Sequence, residues 1–399
     1  MRRAKDYFTS TKGIVTASFS YTTNGFKTNW SATVMASLAS SAELTATDFD
    51  DFLRKLRDAR AVILQSKNEV VDKIEDTEFP VIRDQIAKVC AVLEHKSDAF
   101  AIVMNCSLTS EALLSLCKDT FSPFESLVTV CMIAGCCGCT KHLRDIIFER
   151  ILTVNNELIN LVGTSKSLCE QGALLTEAGA KSLALANGRV TEALKALKKI
   201  PPTNKASVKR EILASFKVVK DVCNDVHDLI KDFEQAEGAD AEKQTFGMED
   251  DDLMMGYDDT LDANEYNRSK ASIGVFGMGV KCLQKSTELL NGMSCKNKHV
   301  LPKLDDIVEK NKALTTAVNE FGVVMFPPQK ISNVRGAGRD VLNRCTEYLS
   351  SVEEAIQIEG GENNDTAMAV IDSLMADIEG VRNDFLVSPL LQGDDSLDN

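Results

Sequence analysis

The chain has 399 residues, enough for two domains with sizeable cores, and 44% of its residues are hydrophobic while 26% are charged. Its formal net charge of −14 argues against nucleic acid as a direct partner, because phosphate binding requires a positive field. Only 6% of the residues are aromatic, which argues against a sheet protein and against a large aromatic-lined cavity for a small-molecule substrate.

The twelve cysteines lack the arrangement of a disulfide framework, so we expect reduced thiols, as in the cytosol or nucleus. Cys136, Cys137, Cys139 and His142 could suggest a metal site. A helix would spread these residues around its circumference, so we interpret them as small core residues and predict no metal. The longest apolar run, at 127–139, is shorter than the ~20 residues of a bilayer span, so we predict no transmembrane segment.

The first element in chain order is an N-terminal tail at 1–45. Its first thirty residues are rich in serine, threonine and basic residues, with Asp6 as the single acid. Three interpretations stay open: a disordered tail, a small hairpin that turns at Asn24-Gly25, and an organellar transit peptide.

The chain beyond the tail has the apolar period of α-helices, interrupted by prolines and glycines. The segment Ser122-Pro123-Phe124-Glu125 has the pattern of a helix start, and Gly360-Gly361 that of a helix end. We count about ten helices and predict an all-α protein of antiparallel bundles. The clearest stripe comprises Val208, Ile212, Phe216, Val219, Cys223, Val226, Ile230 and Phe233.

One segment breaks this helical pattern. Between residues 234 and 265 there are twelve acids and a single base, Lys243, a charge density that prevents the segment from folding alone. We therefore predict two bundles joined by a flexible acidic linker. The expected divisions are an N-terminal bundle at 46–235, the linker at 236–265, a C-terminal bundle at 266–388 and a disordered tail at 389–399.

The segment Asp305-Asp306-Ile307-Val308-Glu309 is the motif that most resembles an enzyme site. Helical isoprenoid synthases hold magnesium and diphosphate with a similar Asp-Asp-x-x-Asp, and Asn343-Arg344 with Glu347 loosely imitates a second metal motif. The sequence lacks the other carboxylate cluster, the cationic diphosphate ligands and the aromatic pocket of such enzymes. We predict no enzyme and no cofactor, and keep an isoprenoid-synthase-type enzyme that uses Asp305 and Asp306 as a remote alternative.

A basic stretch between residues 195 and 220 is the candidate binding site, since Glu211 is the only acid within it. A solvated helix face is one interpretation, and contact with an acidic partner, or with the chain's own acidic segment, is the other. The basic residues are Lys195, Lys198, Lys199, Lys205, Lys209, Arg210, Lys217 and Lys220.

Several of these segments resemble one protein family. The motif IPPTNK at 200–205, followed by Phe216 and by VKD at 219–221, resembles the middle of the cyclin-D-binding protein 1 family, also called Grap- and cyclin-D-interacting proteins. The later motifs LDDIV at 304–308 and FPP at 326–328 are similar to its C-terminal part.

The likeness covers residues 110–385 roughly, and residues before about 105 align poorly. It implies a non-enzymatic helical regulator whose bundles are related to the talin and I/LWEQ modules, found in cytoplasm and nucleus. It implies partners among D-type cyclins, helix-loop-helix factors and signalling adaptors, and a role in cell-cycle and transcription control. The family's leucine zipper is doubtful here, because only Leu283 and Leu290 keep a seven-residue step. The alternative is a cytoskeletal or adhesion scaffold of the talin and vinculin kind.

Overall fold

The computed structural model describes residues 45–68, 79–104, 110–136, 138–243, 261–295, 298–360 and 364–391. Over these ranges the chain forms ten α-helices and three short 3-10 turns, with no strand, which confirms the all-α prediction. The helices are α1 Asp50–Asn68, α2 Phe79–Val103, α3 Ser110–Cys136, α4 Lys141–Glu170, α5 Glu177–Lys198, α6 Asn204–Lys243, α7 Ala263–Gly292, α8 Leu301–Val323, α9 Ile331–Glu359 and α10 Asn364–Val387.

The predicted N-terminal tail lies outside the described residues up to residue 44, and so does the possible hairpin at Asn24-Gly25. No helix in the described ranges combines the length and the apolar character that a membrane crossing requires.

The described chain divides into two compact units whose boundaries cut through helices. This division differs from the expected bundle boundaries near 235 and 265, which both fall inside the second unit, so the two-bundle arrangement stays a prediction. Of the described residues, those within 1–57, 93–122 and 157–190 form the first unit, and those within 58–92, 123–156 and 191–399 form the second.

The first unit has an aromatic centre. The ring centroid of Phe52 lies 6.4 Å from that of Phe100 and 6.1 Å from that of Phe121, in the tilted and edge-to-face geometries that aromatic pairs prefer. The polar border of this unit includes a 2.6 Å hydrogen bond from the Asn187 side-chain amide to the Asp98 carboxylate.

The second unit contains the main core, and α6 belongs to it. The buried stripe of α6, which includes Val208, Ile212 and Val219, shares one hydrophobic core with residues of α7 to α10. Helix α6 continues to Lys243, beyond the boundary expected at 235, and α7 begins at Ala263. The acidic segment between them lies outside the described residues from 244 to 260.

The helix start predicted at Ser122-Pro123 is wrong, because α3 runs through this proline without ending. The physical reason is an unbroken buried stripe on both sides: Leu116 and Thr120 before the proline continue as Phe124 and Leu127 after it. Burial of that face outweighs the backbone hydrogen bond that a helix loses at an internal proline. Gly360 ends α9 with a positive φ of 62°, which confirms the predicted stop.

A buried polar cluster joins the start of α7 to the turn between α8 and α9. The Gln329 backbone N–H donates to the Glu265 carboxylate at 2.7 Å, and the Gln329 side-chain amide donates to the Ser269 hydroxyl at 2.8 Å. The Arg268 Nε donates to the Gln329 side-chain oxygen at 3.3 Å. All four residues are buried, so this turn is held by polar groups that bond to one another and have little access to water.

The C-terminal residues 389–391 differ from the disordered tail expected at 389–399. Pro389–Leu391 form a 3-10 turn, and the Leu391 side chain is fully buried in the core of the second unit. An apolar side chain that fills the core anchors this end of the described chain.

Candidate partner-binding surface

The residues of the loop between α5 and α6 determine where α5 ends and where α6 begins. Lys199 and Ile200 close the last turn of α5 through backbone bonds of 3.2 Å to Ala196 and Leu197. At the other end of the loop the Thr203 hydroxyl accepts the Ala206 backbone N–H at 3.1 Å, which caps the first turn of α6. The two prolines between these turns cannot continue α5, so α6 starts in a fixed place.

The first two residues of α6 fasten it to neighbouring elements of the second unit. The Asn204 side chain accepts the Thr140 backbone N–H at 2.8 Å and donates to the Gly138 carbonyl at 2.9 Å. The Lys205 ammonium donates to the Met293 carbonyl at 2.6 Å, where a cation is favourable beside the free carbonyls at the end of α7. Lys205 therefore has a structural role in addition to its charge.

An open depression of about 360 Å³ lies on the outer face of this helix start. Lys209 donates to the Asn291 side chain within this region, and Arg210 donates to the Lys199 carbonyl at 3.4 Å. The depression is lined by Thr203, Lys205, Ala206, Lys209, Arg210 and Leu213.

The structure brings together three of the eight predicted basic residues, Lys205, Lys209 and Arg210, around this depression. The others lie near it in the chain: Lys195 and Lys198 belong to α5, Lys199 follows it, and Lys217 and Lys220 lie further along α6. Lys195, Lys199, Lys217 and Lys220 are exposed.

None of Lys195, Lys217 and Lys220 forms an ion pair with a residue that the structure describes. These three side chains, like the exposed side chain of Lys199, are therefore available to a partner.

Sequence reasoning missed Leu213, which is 52% exposed in the middle of the basic face. The spacing of the apolar residues could have predicted this exposure. Leu213 directly follows the buried Ile212, so it falls outside the apolar stripe of α6. An exposed leucine surrounded by cations suits a partner that presents an apolar side chain among acids.

The single acid of the stretch, Glu211, faces the protein instead of the depression. Its carboxylate lies 3.8 Å from the Lys312 ammonium and 3.9 Å from the His142 Nε2. Burial lowers the pKa of His142, and the Glu211 carboxylate opposes this shift without reversing it. The basic surface thus keeps its positive charge, because its one acid is paired elsewhere.

The enzyme-like motif of α8 has structural partners. The two Asp305 oxygens accept the Lys141 and His142 backbone N–H groups at 2.7 and 2.8 Å, which caps the N-terminus of α4. Asp306 accepts the Ser351 hydroxyl at 2.7 Å. Among the residues that the structure describes, no three His, Cys, Asp or Glu side chains are grouped so that they could hold a metal ion.

Glu347 and Cys139, which also resembled metal ligands in the sequence, contact other protein groups as well. Glu347 pairs with Lys310 at 3.2 Å and with Arg344 at 3.1 Å. The Cys139 thiol donates to the Ala134 carbonyl at 3.0 Å, while the side chains of residues 136 and 137 lie outside the description.

The two leucines with a seven-residue step lie in the core of the second unit. Leu283 and Leu290 are both 0% exposed. They stabilise the packing of α7 and leave no apolar seam for a zipper partner on that face.

Comparison with known proteins supports the resemblance seen in the sequence. Residues 81–232 match the family model described as Grap2 and cyclin-D-interacting, N-terminal. The matched range contains the whole basic stretch and begins earlier than the resemblance detected by motifs. No curated protein matches the chain. Over residues 81–232 the chain is therefore similar to the Grap2 and cyclin-D-interacting family.

Proposed function

We propose that this chain is a non-enzymatic helical regulator that binds other proteins through the basic surface at the start of α6. The surface consists of Lys195 on α5, the depression around Lys209 and Arg210, and Lys217 and Lys220 further along α6. The observation that carries the proposal is a set of exposed cations on α5 and α6 without described acidic partners, inside the range that matches a cyclin-D-interacting family.

The chemistry of the surface defines its partner. Cations around the exposed Leu213 fit an acidic protein surface that also presents an apolar side chain. The family description favours a D-type cyclin as this partner, and helix-loop-helix factors and signalling adaptors are further candidates by resemblance. Binding of these proteins would place the chain in cell-cycle and transcription control, in both cytoplasm and nucleus.

The test is direct binding of the purified full-length chain to a purified D-type cyclin. The variant carries Lys195→Glu, Lys217→Glu and Lys220→Glu. We expect wild-type binding to weaken as salt rises and the variant to lose at least ~10-fold in affinity, equal to about 1.4 kcal/mol.

A matched control reverses three exposed cations elsewhere, with Lys118→Glu, Arg150→Glu and Arg339→Glu, and changes the net charge equally. The control should bind as wild type. Equal loss in both variants would show that net charge alone matters and would contradict the surface. Specific capture of actin or adhesion proteins, with no cyclin binding, would favour the scaffold alternative instead.

A further inference from the structure

Helices α6 and α7 run side by side, and two rows of residues with the same spacing form the outer seam between them. Steps of three and four positions keep each row within an arc of about 80° at 100° per residue. The α6 row comprises Leu213, Phe216, Lys220, Cys223 and His227. The α7 row comprises Ile273, Gly277, Val280, Gln284 and Thr287. These ten residues are called the α6–α7 seam below.

A contact at one end of the seam fixes how the two rows face each other. Lys209 of α6 donates to the Asn291 side chain of α7. Cys223 lies fourteen residues after Lys209, and Gly277 lies fourteen residues before Asn291. Because the two helices are antiparallel, this register places Cys223 opposite Gly277 in the middle of the seam.

The other end of the seam gives the same register. The Tyr266 hydroxyl donates to the Glu234 carboxylate at 2.7 Å, and the rings of Phe233 and Tyr266 stack with their centroids 4.6 Å apart. Glu234 lies eleven residues after Cys223, and Tyr266 lies eleven residues before Gly277. Polar contacts therefore close the seam at both ends.

The middle of the seam is open. A Cβ at Gly277 would meet nothing within 4 Å. On its inner side the same helix packs closely, since a Cβ at Gly279 would lie 3.7 Å from the Val219 side chain of α6. Cys223 is half-buried across from Gly277, with its thiol 3.6 Å from the His227 Nδ1. The missing side chain at Gly277 thus leaves a gap between the two helices on their outer side.

Apolar side chains border this gap without being fully covered. Phe216, Ile273 and Val280 are half-buried and pack against the core of the second unit. Leu213, at one end of the α6 row, is 52% exposed. Two neighbouring rows with steps of three and four match an amphipathic helix whose apolar residues have the same steps.

The charge of the seam favours acids on such a helix. Lys220 lies within the α6 row, and none of the residues three or four positions from it is an acid. It forms no ion pair with a residue that the structure describes. The acids that border the seam each pair with a lysine: Asp228 with Lys231, Glu234 with Lys270 and Glu288 with Lys285.

The net charge of −14 does not cancel this local charge at physiological salt. At about 0.15 M salt the Debye length is ~8 Å, so more distant exposed acids are largely screened. The lysines at the seam therefore determine which charges are favourable on a helix that lies there.

We infer that the α6–α7 seam binds an amphipathic helix of a partner protein, with its apolar row over Cys223 and Gly277 and its acids beside Lys220. The inference rests on the proposed function, because it specifies how the acidic partner binds next to Lys217 and Lys220. The gap at Gly277 receives one apolar side chain of this helix, and the exposed Leu213 contacts another.

The test uses a synthetic 21-residue peptide with leucine at heptad positions a and d and glutamate at e and g, which repel one another and keep the peptide monomeric. Fluorescence anisotropy measures its binding to the full chain at about 0.15 M salt and up to ~0.5 mM protein. We expect wild type to bind this peptide. A peptide with lysine in place of glutamate should bind at least ~10-fold more weakly.

The decisive variant is Gly277→Trp, which fills the gap and leaves every charge unchanged. It should weaken binding of the acidic peptide at least ~10-fold. The matched control is Gly336→Trp, since Gly336 is also an exposed helical glycine whose Cβ would meet nothing within 4 Å. The control should bind as wild type. Helical circular dichroism equal to wild type confirms that both variants are folded.

A second measurement reports contact at the seam itself. Bound peptide should slow alkylation of Cys223 by iodoacetamide, as followed by mass spectrometry of each cysteine. The half-buried Cys169 lies outside the seam and should react at an unchanged rate. No binding to wild type, equal binding to Gly277→Trp, equal loss in both tryptophan variants, or unprotected Cys223 would each overturn the inference.

The proposed function and this inference can fail separately. If the peptide binds as expected but a D-type cyclin does not bind, the proposed function fails and the seam remains a helix-binding site. If the lysine variant loses cyclin binding while Gly277→Trp retains both cyclin and peptide, the basic surface stands and the inference fails.

Discussion

Two polar regions of the second unit differ in how their charges are used. At the start of α7, Glu265, Arg268 and Gln329 are buried and hydrogen-bonded to one another through side-chain and backbone groups. On the outer side of α6, Lys217 and Lys220 are exposed and have no described ion pair. Removing a buried polar group lowers the free energy of unfolding strongly, because its partner loses a hydrogen bond that water cannot replace. Removing an exposed charge changes the free energy of unfolding little.

This difference separates residues that stabilise the fold from residues that serve a partner. The basic residues at the very start of α6 belong partly to the first kind, because Lys205 and Lys209 contact the end of α7. Lys217 and Lys220 belong to the second kind. The comparison therefore predicts large effects on stability in the first region, and effects on association alone in the second.

The largest expected effect on stability is that of Gln329→Ala. The substitution leaves the buried Arg268 Nε and Ser269 hydroxyl without their Gln329 partner, at a cost of about 2–3 kcal/mol in the free energy of unfolding. Urea denaturation measures it. The control is Gln357→Ala on the exposed side of α9, which should change stability by less than about 0.5 kcal/mol. Equal effects would contradict the role of the buried cluster.

A pair of glycines in α9 gives the next test of buried against exposed positions. A Cβ at Gly338 would collide with the ring of Phe385, whereas one at Gly336 would meet nothing within 4 Å. Gly338→Ala should therefore cost about 1–2 kcal/mol. Gly336→Ala should stabilise the helix by about 0.5–1 kcal/mol, because glycine loses more backbone entropy on folding. Thermal unfolding of the two variants checks the opposite signs.

Asp305 tests whether the enzyme-like motif is structural. Asp305→Ala removes the acceptor of two backbone N–H groups at the start of α4 and should cost about 1 kcal/mol of unfolding free energy. The neighbouring exposed Glu309→Ala serves as the control and should be nearly neutral. A stability effect at Glu309 as large as that at Asp305 would argue against capping as the reason for the motif.

The smallest expected effect is a pH dependence from His142. Burial lowers the pKa of His142 in the folded chain below its ordinary value of 6.5. The unfolded chain therefore takes up a proton first as the pH falls below 6.5, and the free energy of unfolding decreases until the folded pKa is passed. His142→Gln should remove this part of the acid dependence. Urea titrations at several pH values measure it, and an unchanged slope would exclude a contribution from His142.

The sequence predicted the helices well because local patterns determine them. In the α6 stripe, Val208, Ile212, Val219, Val226 and Ile230 are buried as their spacing indicated, while Phe216, Cys223 and Phe233 are half-buried. Gly360 ends α9. Pro123 shows the limit of local rules, because burial on both sides kept α3 continuous. The place of α6 in the core of α7 to α10 was also not predictable, since a stripe shows that a face is buried but not against which helices.

The candidate surface was predicted in part. Charge counting identified the basic stretch, but it could not distinguish Lys205, which caps α7, from Lys217, which is free to contact a partner. The cap that Asp305 provides joins residues more than 160 positions apart in the chain. A local sequence pattern cannot predict a contact between such distant residues. For this reason the acids at 305 and 306 resembled a metal motif in the sequence.

The most direct test of the division between fold and binding measures both properties on the same proteins. The measurement is the affinity for a D-type cyclin, together with the free energy of unfolding, of the Lys195→Glu, Lys217→Glu, Lys220→Glu variant. We expect affinity to fall at least ~10-fold while stability stays within about 0.5 kcal/mol of wild type. Unchanged affinity would contradict the basic surface as the binding site. A loss of stability large enough to explain the weaker binding would show that these lysines serve the fold.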